Sequence, residues 1–280
     1  MRGRLVRRMF GSLMTGVTYT AAVLAILPLA VIFAMLIVKG AGSINWDFFV
    51  KSAVPFGEPG GGFAHAIVGT VIMVGLACSF GLPIGVGTGV FLAEFGGGQL
   101  GFAIRFVADV LNGVPSIVIS IFAWSWLVKP TGHFSALAGG AALAMILVPI
   151  VARTTEEMVR LVPNSLREAA LALGYQRWRA TLQVVVRTAL SGIVTGCLVA
   201  IARVAGETAP LLFTALGNEF FSTRLNGPMA ALPLQVWRYA LGPYDDWHRQ
   251  AWAGALVLIT LVLALSLIAR AVVRAKRQRA

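Results

Sequence analysis

The longest uncharged run in the sequence extends from Met9 to Val38, where 30 consecutive residues include no Asp, Glu, Lys or Arg. A helix needs roughly 20 apolar residues to cross the hydrocarbon core of a bilayer, so this run predicts a first transmembrane helix at about residues 18–38. Backbone inside lipid has no water to bind, and a continuous apolar run satisfies its own hydrogen bonds only as a helix. Wherever such runs recur, the chain is therefore restricted to a helical bundle.

Apolar runs recur five more times along the chain. The sequence is 58% hydrophobic and only 12% charged, which is typical of polytopic membrane proteins. We therefore predict an all-α polytopic membrane protein in which residues 1–280 form one transmembrane domain, with helix 1 followed by a five-helix core at about residues 63–273. Gly81, Gly85 and Gly89 recur four apart, a spacing that predicts close helix packing. The five core segments fall at about residues 59–93, 106–128, 135–151, 188–213 and 251–273.

Positive charge is unevenly distributed between the loops. Sixteen of the 23 lysines and arginines lie at the two termini, at Arg105 and between Arg153 and Arg187, whereas six lie in loops on the other side of the predicted membrane. Cytoplasmic loops carry the excess of lysine and arginine, so both termini and the loop at about residues 152–187 are predicted to be cytoplasmic. The net charge of +12 does not require a nucleic-acid partner, because the cations flank apolar runs.

The loop at residues 152–187 has the pattern of a short docking helix. Ser165 and Glu168 have the spacing of a capping box. Gly174 suits the left-handed residue that follows a helix end. An apolar face at helical spacing, small enough for another protein to approach closely, is formed by Leu166, Ala169, Ala170 and Leu173. An ordinary surface helix in a cytoplasmic loop would show the same pattern.

Two charges lie inside the segment at residues 188–213. Arg203 and Glu207 are four apart, so on a continuous helix they would share one face near the middle of the membrane. A charge at the centre of a membrane helix costs at least about 2.5 kcal/mol, and a guanidinium matches the planar geometry of an oxyanion. The pair is therefore interpreted as part of a substrate path. The alternative interpretation is a self-neutralising pair that only helps helices to associate.

A second polar stretch interrupts the segment at residues 106–128. The run Gly113-Val114-Pro115 predicts a break or kink there, because proline cannot continue the backbone hydrogen bonding of a helix. Asn112 and Ser116 flank the break, and the freed backbone groups need a wet cavity. Asp109 falls near the predicted start of this helix and is interpreted as a helix-start or interface residue.

The sequence also lacks the machinery for nucleotide hydrolysis. No G-x-x-x-x-G-K-[ST] run is present, so the chain carries no P-loop of its own. No catalytic triad spacing and no metal-ligand spacing stand out either. We expect a transporter subunit rather than an enzyme, with any nucleotide energy supplied by another chain.

Several runs resemble a known family. The run Glu168-Ala169-Ala170-x-x-x-Gly174 is similar to the EAA signature of ABC importer permeases, in which a short coupling helix binds the ATPase subunit. The runs at residues 82–94, 113–118 and 202–212 resemble the phosphate permeases of that family. The resemblance implies ATPase coupling through Glu168, Ala169, Ala170 and Gly174. It also assigns the substrate path to Arg203, Glu207, Thr208, Asn112 and Ser116.

The resemblance further implies a type I importer permease fold with six transmembrane helices in the bacterial inner membrane. Its implied partners are a sister permease (PstC), a dimer of an ATPase (PstB) and a periplasmic phosphate-binding protein (PstS). Inorganic phosphate would pass between the two permeases by alternating access. ATP-Mg would be bound by the partner ATPase, so this chain would hold no cofactor and no metal.

Two other functions remain open from the sequence. One is a permease of another oxyanion importer, for molybdate, sulfate or phosphonate. The other is a proton-coupled secondary transporter that uses Glu207 as the proton carrier. Secondary transporters often contain internal repeats, and no convincing repeat is present in this sequence.

Overall fold

The structure is a computed structural model that describes residues 2–55, 58 and 60–277. Within these residues the chain is helical. Short π-helical turns at Trp124–Val128 and Thr181–Val185 continue α5 into α6 and α9 into α10. The α-helices are α1 (Arg2–Gly40), α2 (Trp46–Val50), α3 (Ala64–Glu94), α4 (Gly98–Gly113), α5 (Ser116–Ala123), α6 (Lys129–Thr131), α7 (Ala136–Arg160), α8 (Asn164–Ala172), α9 (Arg177–Ala180), α10 (Val186–Ala205), α11 (Ala209–Thr214), α12 (Leu232–Ala240) and α13 (Asp245–Arg277).

Five segments in the described part of the chain are long and apolar enough to cross a membrane. They are Leu13–Ser43, Ala64–Glu94, Ala136–Arg160, Arg177–Ala205 and Asp245–Ile268. A sixth crossing would be the bent pair Gly98–Gly113 and Ser116–Thr131, whose axes meet at 106°. These elements account for the apolar runs of the sequence, although α1 begins well before residue 18 and α7 continues nine residues past Val151.

The predicted break at Val114 and Pro115 is present, but the predicted helix start near Phe106 is wrong. Helix α4 begins at Gly98, whose φ of 82° lets the chain turn back directly after α3. The glycine-rich stretch from Glu94 to Arg105 predicts a short turn that includes the residues from Gly98 onward. They instead form the first turns of α4, and Arg105 points to α7.

Helices α3 and α7 run parallel and form the central contact of the bundle. The three glycines spaced four apart lie along this contact, as predicted. A Cβ atom on Gly81 would lie 2.9 Å from Leu147, and one on Gly85 would lie 2.8 Å from Val151. Because these residues lack a side chain, the two backbones approach closely along most of their length.

Gly89 gives a direct test of this packing. A Cβ on Gly89 would lie 2.5 Å from the carbonyl oxygen of Ala152, whereas a Cβ on Gly87 in the same helix would meet open space. We expect Gly89→Ala to destabilise the protein by about 1–3 kcal/mol, because overpacking forces backbone shifts. Thermal unfolding of the purified protein in detergent measures this, and Gly87→Ala is the matched control. An equal Tm for the two variants would contradict the packing.

The two ends of the bundle differ in chemistry. At one end, here called the arginine-rich end, α3 ends, α4 begins, α7 ends, and α8 and α9 are located. At the opposite end, α1 contacts α13 through Gly40 and Trp252, and the amide of Ser135 donates to the carbonyl of Thr214 at 3.0 Å. Successive membrane segments therefore alternate in direction along the chain, which leaves α3 and α7 parallel.

Helix α12 is amphipathic, and its apolar face is buried in the bundle. The sequence at residues 230–241 predicts an amphipathic helix along the membrane surface. The structure packs α12 against α3 and α13, where Leu232, Leu234 and Tyr239 are buried, and the position along the membrane surface stays a prediction. The ring of Tyr239 stacks on Trp247 at 4.5 Å, so aromatic packing retains this helix inside the protein.

Candidate functional site

The predicted charged pair lies at a break between two helices. Helix α10 ends at Ala205, and α11 begins at Ala209, so Glu207 and Thr208 are outside both helices. The prediction that Arg203 and Glu207 share the face of one continuous helix is therefore wrong. The physical reason is Pro210, which lacks an N–H group and whose ring would clash with the carbonyl four residues earlier in a helix.

Among the described residues, Arg203 has no ion-pair partner at this break. Its side chain is exposed in the last turn of α10, and the Glu207 side chain is half-buried. No ion pair joins the two residues in the described structure, in which other arginine–carboxylate pairs approach within 3.2 Å. The interpretation of a self-neutralising pair therefore has no support within the single chain.

The second predicted polar stretch lies beside the first. Asn112 is exposed in the last turn of α4, and Ser116 is half-buried at the first position of α5. Helices α5 and α11 each begin at a break, and they pack against each other. Val114 and Val204 belong to one apolar cluster that joins the two breaks. The five residues predicted for the substrate path are therefore located on neighbouring elements.

The predicted docking helix is α8, but its start differs from the expected capping box. Pro163 is the N-cap residue and no side chain caps this helix, so Ser165 and Glu168 do not form the reciprocal pair. Ala169 and Glu168 are exposed, whereas Ala170 is buried against the chain itself. The expectation that Ala170 forms part of an open face is therefore wrong, because this side of α8 packs inward.

The end of α8 agrees with the prediction. Gly174 has a φ of 82°, in the left-handed region. The amide of Tyr175 donates to the carbonyl of Ala170 at 3.1 Å, and the amide of Gly174 donates to Leu171 at 2.9 Å. These two bonds form a Schellman motif, which ends a helix sharply.

Large apolar side chains are exposed around this turn. Leu173 is 79% exposed and Trp178 is 52% exposed. Such a group of exposed apolar side chains is typical of a protein-interaction site. We call this group the coupling surface, and it consists of Glu168, Ala169, Leu171, Leu173, Tyr175 and Trp178.

Three arginines surround the C-terminal end of α3. Arg105 of α4 donates to the carbonyls of Leu92 at 2.6 Å and Gly96 at 3.0 Å. Arg167 of α8 forms an ion pair with Glu94 at 2.8 Å, and Arg177 of α9 donates to the carbonyl of Glu94 at 2.5 Å. We call this group the arginine junction, and it consists of Arg105, Arg167, Arg177 and residues 92–96. Cations are favourable there, because the last carbonyls of a helix carry partial negative charge.

The chain was compared with known proteins. Residues 85–278 match the family model described as "Binding-protein-dependent transport system inner membrane component". The phosphate transport system permease protein PstA of Haemophilus influenzae is 43% identical over 265 residues, which cover 94% of each chain. PstA of Xylella fastidiosa is 45% identical over 95% of this chain and 93% of the relative. The chain belongs to this permease family, in its PstA group.

Solved structures agree on the fold. The MetNI methionine ABC transporter in an inward-facing conformation aligns with a TM-score of 0.63 at 20% identity, over 75% of this chain and 94% of that chain. An amino acid ABC transporter aligns with a TM-score of 0.53 at 17% identity. The PstA-family chain therefore has the predicted type I permease fold, and it is a multi-pass inner-membrane protein. Its relatives are transport permeases rather than enzymes.

A buried glutamate holds two helices of this permease together. The Glu156 side chain is 1% exposed and contacts Arg105 at 2.6 Å, Arg153 at 2.9 Å and Arg160 at 2.6 Å. Arg153 also pairs with Asp109 at 2.9 Å, so Asp109 is an interface residue in the fourth turn of α4 and not a helix-start residue.

Sequence reasoning missed Glu156 and the arginine junction. A signal was present, since Arg153, Glu156 and Arg160 have the spacing of ion pairs on one helix face. These residues were assigned to the loop at residues 152–187, where solvated arginines need no partner. Among the described residues, no three His, Cys, Asp or Glu side chains come together in a way that could hold a metal ion.

Proposed function

We propose that this chain is one of two permease subunits that form the path of an ATP-driven phosphate importer. The observation that carries this proposal is the identity of 43–45% with PstA permeases over 94–95% of the chain. These alignments extend over nearly the whole length of the chain. The path then lies between this chain and a sister permease, PstC.

The position of Arg203 supports a role in binding an anion. An exposed guanidinium without a counter-charge is too costly to face lipid, so it needs water, a partner chain or an anion beside it. Arg203 lies in the last turn of α10, directly before this helix break. Phosphate oxygens match the planar N–H pattern of a guanidinium. Thr208, Asn112 and Ser116 supply further polar groups on the neighbouring elements.

The coupling surface is proposed to bind the ATPase. A permease with no P-loop depends on another chain for nucleotide hydrolysis, so ATP-Mg is bound by a PstB dimer and not by this chain. Glu168 and Ala169 are exposed beside Leu173, which gives the surface one charge and a protruding apolar group. Loaded PstS is proposed to dock at the opposite end of the bundle.

Gly174 tests this docking. A residue with a Cβ costs about 1–2 kcal/mol in the left-handed region, so Gly174→Val is expected to displace the Schellman turn and the leucines beside it. We expect the amount of co-purified ATPase to fall severalfold while the permease remains in the membrane. Gly174→Asn is the control, because asparagine tolerates this conformation. Normal ATPase binding by Gly174→Val would contradict the docking proposal.

The arginine-rich end is proposed to face the cytoplasm, because it contains the loop with the excess of cations. We expect a membrane-impermeant thiol reagent to label Asp245→Cys from outside but not Gln176→Cys, in a chain whose native cysteines are replaced by serine. Both positions are exposed. Labelling of Gln176→Cys in intact cells would reverse the orientation.

The function itself is tested by reconstitution. The permease pair, the ATPase and the binding protein in proteoliposomes are expected to accumulate radiolabelled phosphate only when ATP and the binding protein are both present. Molybdate, sulfate and phosphonate at the same concentration serve as competitors. Uptake of one of these anions in place of phosphate would refute the proposed substrate, and uptake without ATP would refute the importer class.

A further inference from the structure

The side chain of Arg167 joins the docking helix α8 to helices α3 and α7. The backbone of α8 packs on α9 and on the π-helical turn Thr181–Val185 that follows α9. Arg167 extends from α8 to α3, where it pairs with Glu94, and to the end of α7, where it donates to the carbonyls of Val159 (2.9 Å) and Val162. The Arg167 side chain is 20% exposed and that of Glu94 is 8% exposed, so both are shielded from water.

This contact lies next to the connection with α4. Arg105 binds the same end of α3 through Leu92 and Gly96, and it also pairs with Glu156 of α7. Helix α4 extends from there to the 106° bend, where Asn112 is located. These contacts give a route by which movement of α8 can pass through α3 to α4.

A guanidinium suits this role because of its geometry. Arg167 bonds to a carboxylate and to two carbonyls at once, and five N–H groups in one plane make such a contact directional. A lysine at the same position would retain the charge but would supply a single flexible ammonium. Because Arg167 binds several acceptors at once, it can fix the position of α8 relative to α3 and α7. Charge neutralisation alone would not need this geometry.

We propose that Arg167 is a positioning residue that transmits movement of α8, through Glu94 and the end of α3, to α4 and its bend. The inference rests on the proposed function in one respect, because it takes α8 to be the helix that moves with the ATPase. It assigns roles to Arg167 and Glu94 that concern coupling and not the binding of substrate.

The test measures movement at α4 rather than transport. Val110 is 47% exposed near the bend. In the complete complex without its native cysteines, we expect the rate of thiol labelling at Val110→Cys to change at least threefold when ATP is added. With Arg167→Gln, the ATP-dependent change is expected to vanish, while ATP hydrolysis per assembled complex is retained. A merely structural role would lower assembly and hydrolysis together.

Two further variants complete the test. Arg187→Gln removes an exposed cation of α10 and is expected to leave the ATP-dependent change intact. If Arg167→Gln does not assemble, Arg167→Lys is used in its place. We expect a reduced ATP-dependent change in the labelling rate for that variant. A full change in Arg167→Gln or Arg167→Lys, or no change in the parent complex, would overturn the inference. Phosphate uptake by the parent complex separately tests the proposed function, because the labelling needs no phosphate.

Discussion

Arg203→Gln is expected to reduce phosphate uptake at least a hundredfold while the amount of assembled complex stays within twofold of normal. Glutamine is close in length but carries no charge, so it cannot offset the charge of a phosphate in the path. Arg203 is exposed and makes no ion pair within the described chain, so its removal leaves no buried partner behind. The measurement is uptake of radiolabelled phosphate, with complex quantified in the same membranes.

Two variants show whether the geometry of Arg203 matters as well as its charge. Arg203→Lys keeps the charge but loses the paired N–H donors, so we expect partial uptake. Arg187→Gln removes a cation from the other end of α10 and is expected to transport normally. Near-normal uptake by Arg203→Gln would refute the path. Loss of uptake together with loss of complex would instead show that Arg203 holds the permease pair together.

Glu156→Gln is expected to have the largest effect on folding. The carboxylate contacts three arginines from two helices and is almost fully buried. The substitution removes charge-assisted hydrogen bonds that contribute about 1.5–3 kcal/mol each, while the arginines, which are 24–53% exposed, keep part of their hydration. We expect little folded permease in the membrane, and a lowered Tm for what can be purified.

Glu157→Gln is the matched control, because Glu157 follows directly in α7 and is exposed. We expect this variant to fold normally. If Glu156→Gln and Glu157→Gln gave the same yield and the same Tm, the arginines around Glu156 would be adequately solvated without it. Glu156 would then have no special part in joining α4 to α7.

The sequence predicted the elements that depend on local chemistry. The apolar runs predicted the membrane segments, the proline at position 115 predicted the bend, and Gly174 predicted the end of α8. Each of these features depends on backbone hydrogen bonding within a few residues, which the local sequence determines. The same reasoning failed at Arg203 and Glu207, where the i, i+4 spacing was weighed more heavily than Pro210. It failed at Ser165 as well, because capping-box spacing occurs by chance and Pro163 already begins the helix.

The contacts that organise the arginine-rich end are not local. Arg105 and Glu156 are 51 residues apart, and Arg167 and Glu94 are 73 apart. A periodicity within one segment carries no information about which segments will meet. The roles of the predicted path and coupling residues stay predictions, because they depend on partner chains, although the fold packs α5 against α11 at the two breaks.

The parallel seam between α3 and α7 has a mechanical consequence. The glycines at positions 81, 85 and 89 fit against α7 with no space for even one methyl group. A slide by one residue is about 1.5 Å, and it would bring side chains into the gaps that only glycine can fill. These two helices must therefore move as one rigid body. Opening and closing of the permease would then take place at the two helix breaks, one before α5 and one before α11.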